Sequence, residues 1–381
     1  MDYLFFNSPV QNGDFTFAGK PGKAVGIRIA EALNHLLGSQ PVPHLWNTVR
    51  LDGDLRYRRH AVTESDSASR EVFETAAIAA KYSTGPWPAA GTVTDADSLV
   101  AQLALEVIEC RLSAGVLKIS SETVQICARC AHMTSSGGHP CRACSHTISH
   151  AHTARHLVAE HGRATPLLDF AHLYALHRRA PLHLRDIAGN VPARLILSRT
   201  RDHGIALDPL GLPDLVLDPR AGIHITVLAA ARASQGEFAV MTTTTNAAAN
   251  IAAYGQHFTD HDELRLLYAL HGHVPYERLA DLHDIYEACH LAAETRTAFE
   301  TWFLPLFALR EKNGIRADQL PALFKYFRRA ILARPAKADD TLADLRQSIR
   351  EGDTDWMGRK AALAAALGTL SEVGRVVDQP D

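Results

Sequence analysis

Tyr3-Leu4-Phe5-Phe6-Asn7-Ser8-Pro9-Val10-Gln11-Asn12-Gly13-Asp14 sets the fold class. An apolar run flows into a polar turn, which reads as a buried strand and its exit. After Gly19-Lys20-Pro21-Gly22 the period changes: Val25, Ile29, Ala32, Leu33, Leu36 and Leu37 recur at helical spacing and stop at Gly38. Strand, glycine-rich loop and helix form the unit with which α/β folds present backbone N–H groups and a helix dipole to phosphate. Lys20, Gly22 and Lys23 stand at the helix entrance and are the candidate nucleotide-binding residues. The usual phosphate loop is absent, since Asp14 holds its first glycine position and Pro21 its hydroxyl position, and Gly-x-Gly-x-x-Gly is absent too. On these residues alone, a nucleotide role and a packed connection both stay open.

Around that unit, 381 residues with 46% hydrophobic and 21% charged content supply a core for two or three domains. The 39 basic and 42 acidic residues leave a net charge of -3, so no overall positive field advertises nucleic acid or anionic membrane. No apolar run reaches the ~20 residues of a bilayer span, and the N-terminus lacks a basic n-region and an h-region. A cytoplasmic protein with no membrane partner is expected.

Further along, Lys81 to Ala96 is rich in Pro, Gly, Ser and Thr and reads as a boundary. Leu99, Leu103, Val107 and Ile108 mark a helix, Val116 to Ile119 a strand, and Ala154 to Arg179 helical patterns. Ala193 to Leu197, Val216-Leu217 and Ile223 to Leu228 read as strands. Beyond Asp260 nearly everything reads as helix, beginning with Leu264 to His273. From Arg310 to Lys337 eight residues are basic and two acidic, on an amphipathic helix whose apolar face is Leu323, Phe324, Phe327 and Ile331.

The strongest chemical signal is Cys127-Ala-Arg-Cys130 and Cys141-Arg-Ala-Cys144, two CxxC knuckles ten residues apart. Two intervening residues let both sulfurs of a knuckle meet one ion, and two knuckles complete a four-thiolate shell suited to zinc. With every ligand a thiolate, no position remains for water, so the zinc is structural. His132, His139 and His146 lie beside the knuckles as surface histidines or alternative ligands, and Cys110 and Cys289 read as small buried hydrophobes.

The stretch Ser8 to Asp14 with its loop and helix, followed about 110 residues later by the double knuckle, resembles methionyl-tRNA synthetase, a class I aminoacyl-tRNA synthetase. A third block, Ser198-Arg199-Thr200-Arg201-Asp202-His203-Gly204-Ile205-Ala206-Leu207, is similar to the family's R-x-x-D-W-G-hydrophobic-P stretch, with His203 for Trp and Ala206 for Pro. The resemblance covers roughly residues 3 to 260. It implies an α/β fold: a Rossmann-like class I synthetase core with an inserted zinc-ribbon domain and a C-terminal helical domain. Residues 1–90 form the first half of the core, 91–190 the insertion with its ribbon at 127–144, 191–256 the second half, and 257–381 the helical domain. Tyr3 to Asn7 and Arg194 to Leu197 are then expected in one sheet. The resemblance further implies substrate contacts from Asn12, Asp52 and His203, with Asp52 or Asp54 at the substrate ammonium.

Both family signatures are degenerate. Thr16-Phe17-Ala18-Gly19 stands where the HxGH histidines meet ATP phosphate, and the best counterpart of KMSKS, Val240-Met241-Thr242-Thr243-Thr244, holds no cation. Each lost donor aimed at a leaving group costs ~3 kcal/mol or more. The short interval between Leu228 and Val240 suggests a deletion in the core. The resemblance therefore implies an enzyme repurposed for ATP-linked amino-acid activation or aminoacyl condensation in specialised metabolism, using ATP with Mg. Hydrazine-forming relatives pair such a domain with a cupin, which here would be a separate partner enzyme. The alternative is a non-catalytic relative that binds tRNA or a partner protein.

Overall fold

Phe5 and Phe6 are sequence neighbours and both fully buried, which a strand achieves only when its sheet is covered on both faces. The computed structural model describes residues 3–11, 15–47, 75–82, 91–134, 139–141, 144–160, 172–174, 191–201, 204–311, 313–331 and 338–377. The chain runs from β1 (Tyr3–Asn7) and β2 (Val10–Gln11) through α1 (Val25–Leu37) to β3 (His44–Asn47), β4 (Thr92–Thr94) and α2 (Ser98–Ser113). It then leaves the core through β5 (Leu117–Cys127), β6 (Met133–Thr134), β7 (Ser149–Glu160), β8 (Arg194–Ile196), β9 (Ser198–Arg199) and β10 (Val216–Leu217). Helix α3 (Pro219–Ala233) returns it for β11 (Phe238–Thr244), β12 (Asp260–His261) and β13 (Leu264–His271). Helices at Leu304–Arg310, Leu320–Ile331, Ala338–Arg350 and Lys360–Val377 follow. Among the described residues no helix is long and apolar enough to cross a membrane.

β1, β11 and β13 pair in parallel, as do β2, β3 and β4. Asn7 joins the two groups: its Nδ2 donates to Leu45 O at 2.9 Å and its Oδ1 accepts from Leu45 N at 3.0 Å. One side chain thus supplies the rung that the Ser8-Pro9 break takes from the backbone. The order across the core is β4-β3-β2/β1-β11-β13 with antiparallel β12 at the edge, a doubly wound arrangement. Alternate residues serve opposite faces. Phe6, Ala239, Met241, Tyr268 and Leu270 pack with the α2 and α3 residues, while Phe5, Val240 and Ala269 pack with α1 and the C-terminal helices.

Local chemistry fixes α1 as the sequence suggests. Pro21 opens a 3-10 turn that leads into the helix, and Gly38 ends it at φ 75°, donating to His35 O. Asn34 faces inward and pairs with both backbone groups of Phe5, at 2.9 and 2.8 Å, which docks the helix on β1.

Several expectations are corrected. Arg194–Ile196 lies in the ribbon sheet, order β6-β5-β7-β8, and not with Tyr3–Asn7. The core sheet instead regains its strands at Phe238–Thr244 and Leu264–His271, so core structure runs past residue 256 and the stretch expected to begin the helices is a strand. Leu264–His271 is apolar on both sides because both faces of the sheet are covered, which hides the alternation of a strand. Ile223 to Leu228 belongs to α3, nearly buried all round, so it shows no helical stripe either. That helix runs on to Ala233, and β11 begins at Phe238. Residues 154–160 are strand, paired along β5. On the basic helix, Leu320, Phe324, Phe327 and Ala330 are buried, while Ile331 turns outward with Lys325 and Arg329.

Gly272 carries the turn from β13 toward the helices. A Cβ there would lie 2.1 Å from Glu311 O and 2.3 Å from Gly314 N, both backbone atoms that cannot rotate away. Gly272→Ala is expected to destabilise the protein by about 3 kcal/mol or more, read as a lower urea midpoint.

Candidate functional site

The four knuckle cysteines come together at the far end of the β5–β7 hairpin. Their sulfurs all lie within 4.8 Å of one another, with Cys127 to Cys144 at 3.5 Å and Cys130 to Cys141 at 3.7 Å. A zinc tetrahedron with bonds of about 2.3 Å spaces its sulfurs by about 3.8 Å, so the set fits the ion. The two knuckles have matching backbones. Ala131 and Ser145 adopt positive φ, 55° and 59°, and donate to Cys127 O and Cys141 O, while Cys127 N and Cys141 N donate to His132 O and His146 O. Burial opposes ionisation of Cys127, but the backbone N–H groups of Arg129 and Cys130 outweigh it and hold the thiol below its ordinary range. Among the described residues no histidine joins the group. Four sulfurs that fill the coordination shell organise a fold and leave no position for substrate.

The second feature is a cleft of about 390 Å³ at the carboxyl ends of β1, β11 and β13. From β1 the chain builds outward to β3 and β4 on one side and then crosses to β11 and β13 on the other, so the cleft sits where the strand order reverses. Lys20, Gly22 and Lys23 line it from the start of α1, and both lysines are exposed at its mouth. A Cβ on Gly22 would meet nothing within 4 Å, so this glycine leaves its backbone open to the cleft and serves no packing contact. Gly26 does pack: a Cβ there would lie 3.1 Å from Thr242 Oγ1 and 3.4 Å from His271 Nε2. Its absence lets the first turn of α1 rest on the strand end, where Thr242 Oγ1 donates to Gly26 O at 2.7 Å.

Thr242, Thr243, Thr244 and His271 form the cleft's far wall. The threonines, read in the sequence as the KMSKS counterpart, are part of a central strand held between β1 and β13, so they cannot act as a leaving-group loop. His271 was not anticipated. Its Nδ1 lies 3.0 Å from Gly272 O, which only accepts, so Nδ1 carries the proton and Nε2 is left as an acceptor. Burial lowers its pKa to about 4, which keeps the imidazole neutral at pH 7. Lys81 was also missed. It is only 6% exposed, and its Nζ lies 4.8 Å from the Phe15 ring, which Lys23 Nζ approaches at 6.0 Å. Asn12, Asp52 and His203 lie outside the described residues.

Two solved structures share this chain path. Mycobacterium tuberculosis methionyl-tRNA synthetase in complex with methionyl-adenylate matches at 14% identity and a TM-score of 0.50, over 99% of this chain and 84% of that one. A second structure of the same enzyme, bound by methionyl-adenylate, matches at 13% identity with the same score and coverage. The fold is that of methionyl-tRNA synthetase. No protein-family model matches the sequence, and no curated protein matches it. At this identity the methionyl-tRNA synthetase fold is shared as architecture.

Proposed function

We propose that the protein is a synthetase-like enzyme that binds ATP and an amino acid in the switch-point cleft and uses them for amino-acid activation or aminoacyl condensation outside translation. The observation that carries this reading is the juxtaposition of Lys20, Lys23 and the open backbone of Gly22 at the start of α1 with a strand-end wall that contains no carboxylate among its lining residues. Anionic phosphate meets two cations and a helix start there, and none of the described lining residues is acidic. Magnesium would then arrive on the nucleotide phosphates. Asn12, Asp52 and His203 are the proposed amino-acid contacts, and acceptor chemistry of the hydrazine-forming type would need a separate cupin-type partner, on the strength of the resemblance.

Charge-assisted contacts to phosphate contribute ~1.5–3 kcal/mol each. Lys20→Ala and Lys23→Ala are therefore expected to weaken ATP binding about 10-fold or more each, measured by calorimetry, with Tm unchanged because both side chains are exposed. Gly22→Ala should fold normally, since open space receives the methyl, yet weaken ATP binding by obstructing the backbone. ATP-dependent pyrophosphate exchange against a panel of amino acids tests activation itself. A wild type that binds neither ATP nor any amino acid but binds tRNA would favour the non-catalytic alternative, for which the exposed Lys325 and Arg329 are the motivating feature.

A further inference from the structure

Two side chains in the lining of the cleft are buried with nothing to bond. His271 is 3% exposed, and with its Nδ1 proton committed to Gly272 O its Nε2 has no hydrogen-bond partner among the described residues. Thr243 is likewise 3% exposed, and among the described residues its hydroxyl makes no hydrogen bond either. Their neighbours are satisfied. Thr242 Oγ1 donates to Gly26 O at 2.7 Å, Asn7 bonds Leu45 with both ends of its amide, and Thr245 Oγ1 donates to His271 O at 3.2 Å. Buried polar groups are nearly always paired, so two unpaired ones in the lining of one cleft mark where a ligand completes the bonding.

The register of the sheet places the two groups. Thr244 pairs with His271, and Thr243 pairs with Leu270. Paired residues share a face and alternate residues change it, so His271 and Thr243 lie on opposite sides of the sheet, at the carboxyl ends of adjacent strands. His271 is on the α1 side, where a Cβ on Gly26 would lie 3.4 Å from its Nε2. Thr243 shares a face with Met241, which packs with the α2 and α3 residues. Both residues line the one cleft, so the cleft passes over the end of β11.

These groups define what the ligand must offer. The imidazole, with its proton on Nδ1, only accepts at Nε2 and so needs a donor; the Thr243 hydroxyl takes a donor or an acceptor. An ammonium is a costly donor to bury here, because none of the described lining residues is acidic and two are lysines. A carboxylate brings acceptors alone. An aliphatic or thioether side chain brings no donor and would seal both groups from water without a partner. A hydroxyl or a carboxamide donates and accepts without charge. In amino-acid activation a carboxylate oxygen attacks the α-phosphorus as pyrophosphate leaves, so the carboxylate lies with the phosphates at the lysine rim. The side chain is then the part free to reach the strand ends.

We propose that His271 and Thr243 select an amino acid whose side chain is neutral and carries a hydrogen-bond donor, a hydroxyl or a carboxamide. This rests on the reading that the cleft takes an amino acid and ATP, and it narrows that reading to a substrate class. A pocket that hydrogen-bonds its substrate rejects the analogue lacking the donor because the pocket's own polar groups are left unpaired.

Calorimetry on two matched sets tests it, with ATP titrated separately. Glutamine, glutamate and methionine are similar in length, and threonine and valine are isosteres. The set whose length suits the cleft is expected to favour its neutral, donor-bearing member about 10-fold or more. Thr243→Val and His271→Phe should each bring that ratio toward one without changing ATP affinity, and Thr243→Ser should keep it. Thr243→Val should also leave the urea midpoint no lower, since the hydroxyl it removes has no bond to lose. Should a variant fail to fold, the wild-type ratio decides alone. If ATP binds but neither set favours its polar member, or no amino acid binds, the proposal is overturned and the nucleotide half of the cleft reading stands. If ATP fails to bind as well, both fall.

Discussion

Cys141→Ser protein is expected to hold no tightly bound zinc, where the wild type is expected to hold one ion per chain, and to loosen the two knuckles at the end of the hairpin. Three of the four sulfurs are buried, and three clustered thiols without a fourth ligand cannot close the tetrahedron. In small zinc domains metal binding supplies on the order of 10 kcal/mol or more of folding energy, larger than the net stability of most domains. The damage should still stay local at first. The base of the hairpin, Leu117 with Leu157 and Ala159, belongs to the large core shared with α2 and α3, whereas the cysteines form their own small cluster. Among the described residues a hydrogen bond leads out of the tip: Met133 N donates to Thr200 Oγ1 at 2.7 Å, beside Arg199. Metal loss should therefore loosen β9 as well. Elemental analysis of chelator-washed protein reads the stoichiometry, and amide exchange reads the extent. Unchanged protection across 127–150 after zinc removal would show that the knuckles fold without it.

The knuckles were legible because ligand spacing is a local property: CxxC places two sulfurs together whatever the rest of the chain does. The start of α1 was legible for the same reason, through Pro21, Gly38 and one apolar stripe. The rest of the core was not, because burial on two faces erases the period that betrays a strand or helix. Leu264–His271 is apolar throughout as a central strand, and Ile223 to Leu228 is apolar throughout inside a buried helix. A local cue was nevertheless present for the second. Asp218-Pro219 is an N-cap residue followed by a proline at the first helical position, a start signal that favours helix over the strand reading. The cleft was half legible on the same terms. Lys20, Gly22 and Lys23 sit in one loop, while Thr243 and His271 reach it from the ends of strands far along the chain, and no short motif announces them. The threonine run is β-branched, and that composition belongs to the central strand β11.

Acid is expected to unfold this protein early, with stability falling by about 4 kcal/mol between pH 7 and pH 5. His271 and His224 are both buried and neutral, and burial lowers their pKa values to about 4 and about 3; burial also lowers that of His156. In the unfolded chain each takes up a proton near pH 6.5. Since the folded values are depressed, the contribution of each histidine is complete above pH 6.5 and is lost as pH falls from there through the folded value. At pH 5 the first two have each lost about 1.5 pH units of linkage, or ~2 kcal/mol apiece. That is a large share of a typical net stability of about 5–15 kcal/mol. Asp218 and Glu31 act lower down: both are held at about 2, the first by Arg220 and Arg199, the second by Arg28 and His44, against the pull of burial. Their contribution is intact above the unfolded value near 4 and disappears as pH falls through 2, so it deepens a loss the histidines have begun. Urea midpoints measured at pH 7.5, 6 and 5 check the sequence of events, and a midpoint that does not move across that range would refute the neutral, buried assignment. The same numbers constrain the cleft. His271 gains a proton only where the fold is already failing, so between pH 6 and 8 its Nε2 offers a lone pair and nothing else. A ligand group that meets it must donate, and binding should show no titration step from this residue in that range.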